Sequence, residues 1–70
     1  MNITVSKSAV YGYIISSKDI SMNFDDVWVG RFGMVHLSLH GRFVGTLNVN
    51  AAEQAVPQIE ALGIEIGEQR

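Results

Sequence analysis

Apolar side chains recur at every second position through the middle of this chain and at helical intervals after it, and the period changes at Asn50. Val35, Leu37 and Leu39 alternate with His36, Ser38 and His40; Phe43, Leu47 and Val49 then alternate with Arg42, Thr46 and Asn48. This alternation predicts two half-buried strands. His40-Gly41 lies between them, and glycine supplies the positive φ that a tight hairpin turn needs. If all the odd-numbered side chains are to share one face, directly opposed residues must have numbers with an even sum. A two-residue loop would set Leu39 opposite Arg42, an odd sum, so a three-residue loop or a glycine bulge is expected.

Beyond the switch, Asn50 followed three residues later by Glu53 has the spacing of a capping box, with asparagine in place of the usual hydroxyl residue. Ala52, Ala55, Val56, Ile59 and Leu62 fall on one helical face, and Glu53, Gln54, Gln58 and Glu60 on the other. Gly63 is placed to end the helix. Pro57 interrupts the pattern, since proline inside a helix removes an amide donor and costs about 3 kcal/mol. A kinked single helix is preferred here to two separate turns.

Before the hairpin the pattern is still that of strands. Ile3-Thr4-Val5 alternates, and Ala9-Val10-Tyr11-Gly12-Tyr13-Ile14-Ile15 is a β-prone run with apolar side chains on both faces, which predicts a central strand. Ser16-Ser17-Lys18-Asp19 reads as a turn. Ile20, Met22 and Phe24 alternate, and Val27-Trp28-Val29 runs into a turn at Gly30-Arg31-Phe32-Gly33. After the helix, Ile64-Glu65-Ile66 is a candidate for a short edge strand. The predicted fold is α+β: a small antiparallel β-meander of four to five strands packed on one C-terminal α-helix, with a short final edge strand.

Composition narrows the setting. Seventy residues predict one domain spanning 1–70, and a chain of that length buries only about 60% of its unfolded surface. The chain has no cysteine, which fits a reducing compartment. No apolar run approaches the roughly 20 residues of a membrane span, so a cytoplasmic location without membrane contact is expected. Five basic and seven acidic residues give a net charge of -2, with no basic footprint for nucleic acid.

Chemistry-bearing residues are sparse. His36 and His40 would share a metal if they lay on a helix, but on a strand they stand roughly 13–14 Å apart along the chain. Asp25 and Asp26 are adjacent, so on a strand their side chains point to opposite faces. Gly-Arg-Phe occurs at 30–32 and again at 41–43, which is read as turn chemistry. The expectation is therefore no catalytic residue, no metal site and no cofactor.

The even-numbered face of the hairpin is the candidate binding surface. Met34, His36, Ser38, Arg42, Val44, Thr46 and Asn48 would project together, away from the helix. Partner-binding residues are expected to be His36, Arg42, Thr46 and Asn48, with Trp28 as an aromatic anchor; Tyr11 and Tyr13, two apart on one strand, would share a face. One helix cannot cover both faces of a sheet, so a protein partner or self-association as a homodimer is expected. The functional expectation is a non-enzymatic protein-protein interaction module, a small accessory or inhibitor protein of a mobile genetic element that binds and blocks a partner macromolecule. Strand, glycine turn, strand and helix in Gly41-Arg42-Phe43-Val44-Gly45-Thr46-Leu47 and the segment after it resemble small sheet-plus-helix DNA-binding domains over less than half the chain. That resemblance implies a nucleic-acid-binding alternative, disfavoured by net acidity and the paucity of lysine.

Overall fold

A computed structural model describes residues 2–68. Among the described residues the alternating segments form seven short strands in two sheets with a single α-helix. Strands β1 (Thr4–Lys7), β2 (Tyr13–Ser16) and β3 (Ser21–Phe24) make an antiparallel sheet in the order β1-β2-β3. Strands β4 (Asp26–Val29), β5 (Val35–Leu39), β6 (Arg42–Leu47) and β7 (Ile66–Glu68) make a second in the order β6-β5-β4-β7. Helix α1 (Val49–Ala61) crosses from β6 to β7, which lies parallel to β4. The α+β class with its C-terminal helix holds, and no helix among the described residues is long and apolar enough to cross a membrane.

The meander becomes two sheets because of a bend at one residue. β3 and β4 are consecutive segments of chain separated only by Asp25, whose N–H donates to the Ser38 carbonyl at 2.8 Å. In an unbroken strand Phe24 and Val27 would face opposite sides. Both are fully buried, so Asp25 shifts the alternation by one residue and sends the two sheets' apolar faces into one core. A strand that passes between packed sheets through a bend is a known way to turn such a corner. Ile3, Val5 and Ile15 meet Val27, Val35, Leu37 and Leu47 in that core, together with Ala52, Ala55 and Ile59 of α1.

A second phase shift lies in the hairpin. The turn is the two-residue one, His40-Gly41, with both residues at positive φ (54° and 79°) and Leu39 opposite Arg42. Neither a three-residue loop nor a bulge at Gly41 is present. The register shifts further along, where Leu37 pairs with Gly45 but Ser38 pairs with Phe43, leaving Val44 as the extra residue of a bulge. Even sums therefore hold for Val35, His36 and Leu37 and fail nearer the turn. Gly45 at this point lets the other sheet approach closely, since a Cβ there would sit 2.8 Å from the Met22 Sδ and the methionine would have to move.

The helix begins earlier than Asn50 predicts. Asn48 is the N-cap, its Oδ1 accepting from the Ala51 N–H at 2.8 Å, and Val49 is the first helical residue, exposed rather than in the strand's apolar face. Pro57 lies inside one continuous helix, on its exposed side. Gly63 (φ 80°) ends it: the Gly63 and Ile64 amides return to the Glu60 and Ile59 carbonyls at 3.0 and 3.3 Å, the paired bonds of a Schellman motif. α1 packs closest on β1, and its glutamines cover that strand's open edge. Gln54 Oε1 accepts from the Ile3 N–H at 3.1 Å. Gln58 accepts from the Val5 N–H at 2.9 Å and donates to the Ile3 carbonyl at 2.7 Å. These side-chain amides stand in for the neighbouring strand that an edge lacks.

Three smaller expectations are corrected. Ala9–Gly12 is a bend rather than strand, so only Tyr13–Ser16 is central, and Tyr11 and Tyr13 do not share a face. The last strand is Ile66–Glu68, not 64–66. The Gly-Arg-Phe pairs are not equivalent: Phe32-Gly33 (φ 62° and 73°) matches His40-Gly41, so Phe32 carries a turn conformation that Phe43, in β6, does not. A non-glycine residue in the left-handed region costs about 1–2 kcal/mol.

Gly12 gives a test of the corner. Its φ is 66° and an added Cβ would lie 2.5 Å from the Phe24 carbonyl oxygen, whereas Gly41 has nothing within 4 Å. Gly41→Ala should lower Tm by about 4–8 °C, the conformational strain alone. Gly12→Ala should lower it by more than about 10 °C, because backbone must also move. Equal losses in thermal unfolding would contradict the close approach of residue 12 to the bend.

Candidate functional site

The side of the four-stranded sheet that faces away from the core is a short aromatic platform. Residues directly opposed across a sheet share a face, and the register sets Trp28, His36 and Thr46 in one row and Asp26, Ser38 and Phe43 in the next. The Trp28 and His36 rings are 5.6 Å apart and tilted by 34°; His36 and Phe43 are 6.1 Å apart at 54°. Such separations and tilts suit the ring quadrupoles. His36 is held by a 2.9 Å hydrogen bond between its Nδ1 and the Thr46 hydroxyl, so the imidazole plane cannot turn freely between its neighbours.

Phe43 joins these rings because the alternation that buries Leu47 is broken before it reaches the turn. The alternation assigns it to the core, yet the phase shift at Val44 turns it outward and leaves it 63% exposed. The same shift moves Arg42 onto the side of Leu39, away from His36 and Thr46. Ser38, expected on the open face, is only 5% exposed between its cross-strand neighbours Asp26 and Phe43. Asn48 has left the sheet altogether, with its side-chain oxygen committed to capping α1. Of the five residues expected from sequence, then, Trp28, His36 and Thr46 come together and Arg42 and Asn48 do not. The structure adds Phe43 and Asp26.

Asp26 gives this face its charge. It is exposed, and one carboxylate oxygen, Oδ1, accepts from the Val27 N–H at 3.0 Å. With Arg42 displaced, neither of the two rows carries a lysine or arginine.

A second cluster joins residues too far apart in sequence to be connected by any local pattern. Tyr11 stacks on His40, with ring centroids 4.6 Å apart and planes 19° from parallel. The Tyr11 hydroxyl and the His40 N–H both donate to Asp25 Oδ2, each at 3.1 Å. Asp25 thereby ties the Ala9–Gly12 bend to the hairpin turn. His36 and His40 engage different partners, and among the described residues no three His, Cys, Asp or Glu side chains gather in a group that could hold a metal.

Fold and platform define a small α+β domain with an exposed aromatic sheet face. Set against known proteins, the chain matches no family model, no curated protein and no solved structure, so the functional reading rests on its own residues.

The Tyr11 contact has a pH signature. Accepting the phenol's hydrogen bond, and carrying a negative charge beside it, Asp25 raises the Tyr11 pKa above its usual value of 10.0. The fold thus favours the neutral phenol. Its contribution is complete below about pH 10 and is lost as pH rises through the raised folded-state value. Tyr11→Phe should flatten the decline of stability above about pH 10. Parallel denaturation curves for both proteins across that range would show that the bond contributes nothing.

Proposed function

We propose that this protein is a non-enzymatic protein-binding module, an accessory or inhibitor protein of the kind carried by mobile genetic elements, which docks a partner macromolecule on the Trp28–His36–Phe43 face and blocks it. The observation that carries this reading is the contiguous row of three rings on an open sheet face, with Phe43 more than half exposed. Aromatic side chains supply much of the energy of protein interfaces because they bury large area with few rotatable bonds. The hydrogen-bonded His36–Thr46 pair holds the centre of the row in place before a partner arrives, which lowers the ordering cost of binding.

Charge shapes the choice of partner. Asp26 on this face and a net charge of -2 favour a basic protein surface, one whose arginine or lysine can lie over Trp28 and pair with the carboxylate. Nucleic acid gains little from the same face, since the cation expected there, Arg42, lies on the other side of the sheet. A chain without cysteine suits a partner in a reducing cytoplasm.

Trp28→Ala with Phe43→Ala removes the two ends of the row. The double variant should keep the circular dichroism spectrum and lose at least about 30-fold in affinity, or roughly 2 kcal/mol, for the partner recovered from the native host. Measurement by titration calorimetry on the purified pair checks this. Undiminished affinity in a folded variant would rule out this face as the docking surface.

A further inference from the structure

Phe32 is the most unusual apolar residue on the molecule. It sits in the 3-10 turn Arg31–Gly33 between β4 and β5, at φ 62°, and is 87% exposed. The fold holds a bulky non-glycine residue in a left-handed conformation and places its ring in water. Conformational strain and an exposed aromatic side chain are both unfavourable in the isolated chain, and strain of this kind gathers where a residue is presented to something else.

A receptor for such a ring lies beside it. The 3-10 turn packs on α1, and the seam between them is a shallow cleft lined by Val29, Gly33, Val35, Val49, Val56 and Pro57. Gly33 directly follows Phe32, so knob and cleft share one patch of surface. Charges flank both. Arg31 precedes the knob and is exposed, while Glu53 lies at the cleft and is exposed.

From this complementarity we propose that the occupant of the cleft is Phe32 of a second copy of this chain. In a two-fold pair each copy inserts its Phe32 into the other's cleft, and Arg31 of each meets Glu53 of the other. A two-fold axis makes every contact twice, so a knob and a hole of matching chemistry close together on one chain suffice for an isologous interface. Val29 lines the cleft, whereas its neighbour Trp28 points to the other side of β4. The dimer therefore leaves the aromatic face free, and this proposal stands or falls independently of the docking role of that face.

The experiment is sedimentation equilibrium on the full chain up to about 1 mM, with wild type expected to associate as a dimer whose dissociation constant lies within that range. Phe32→Asn should weaken the dimer at least about tenfold while raising Tm relative to Phe32→Ala, because asparagine tolerates the left-handed conformation. Arg31→Glu and Glu53→Arg should each weaken it, and the two together should restore it to within about threefold of wild type. Trp28→Ala with Phe43→Ala should leave it intact. A wild type that stays monomeric throughout, a dimer indifferent to Phe32→Asn, a charge swap no better than the sum of its parts, or a dimer dissolved by the Trp28 and Phe43 changes would each overturn the proposal.

Discussion

The bend at Asp25 is the constraint on which the remaining geometry depends. One residue between β3 and β4 changes the phase of the alternation, and two side chains that a straight strand would send apart, Phe24 and Val27, are buried together. Without that shift the chain would make one long meander with an apolar face too large for a single 13-residue helix to cover. With it, the three-stranded sheet folds over the four-stranded one, and the helix needs only to close the remaining side. The Asp25 backbone bonds β5 through Ser38, and its carboxylate gathers Tyr11 and the hairpin turn. Local chain direction and long-range contact are thus fixed by the same residue.

Closure of the core leaves strand edges to be managed, and the two sheets do this differently. The outer edge of β1 is paired by the Gln54 and Gln58 side chains, whose amides satisfy Ile3 and Val5 as a strand would. β6 forms an edge of the larger sheet and carries the Val44 bulge, a device that disrupts further pairing. The bulge also reassigns side chains: Phe43 goes out, Arg42 changes sides, and Gly45 receives Met22 of the other sheet. The aromatic row follows from how the edge strand is built.

Two surfaces stand on opposite sides of the larger sheet. The outer one presents Trp28, His36 and Phe43 beside the Asp26 carboxylate; the other presents Phe32 beside a cleft along α1. Each depends on a departure from regular geometry, a bulge in one case and a left-handed phenylalanine in the other. An alternation unbroken from Leu47 back to the turn would have buried Phe43, and a glycine at 32 would have removed both the strain and the ring.

Sequence alone determined the elements whose causes are local. The alternation in 35–39 gives β5, the apolar interval from Ala52 to Ile59 gives the buried face of α1, and Gly63 ends the helix because its left-handed conformation lets two amides return to the last turn. The same local evidence placed His36 and Thr46 on one open face. Phase was decided elsewhere. A one-residue shift leaves composition unchanged and inverts every side chain beyond it, so the bend at Asp25 left no mark on periodicity, and parity called for an irregularity in the hairpin without placing it at Val44. Both arise from packing between distant segments: Asp25 against Ser38 and Gly45 beneath Met22. For that reason Phe43 and Arg42 exchanged faces, Asn48 left the sheet to cap the helix, and the Tyr11–Asp25–His40 cluster existed only once the chain had folded.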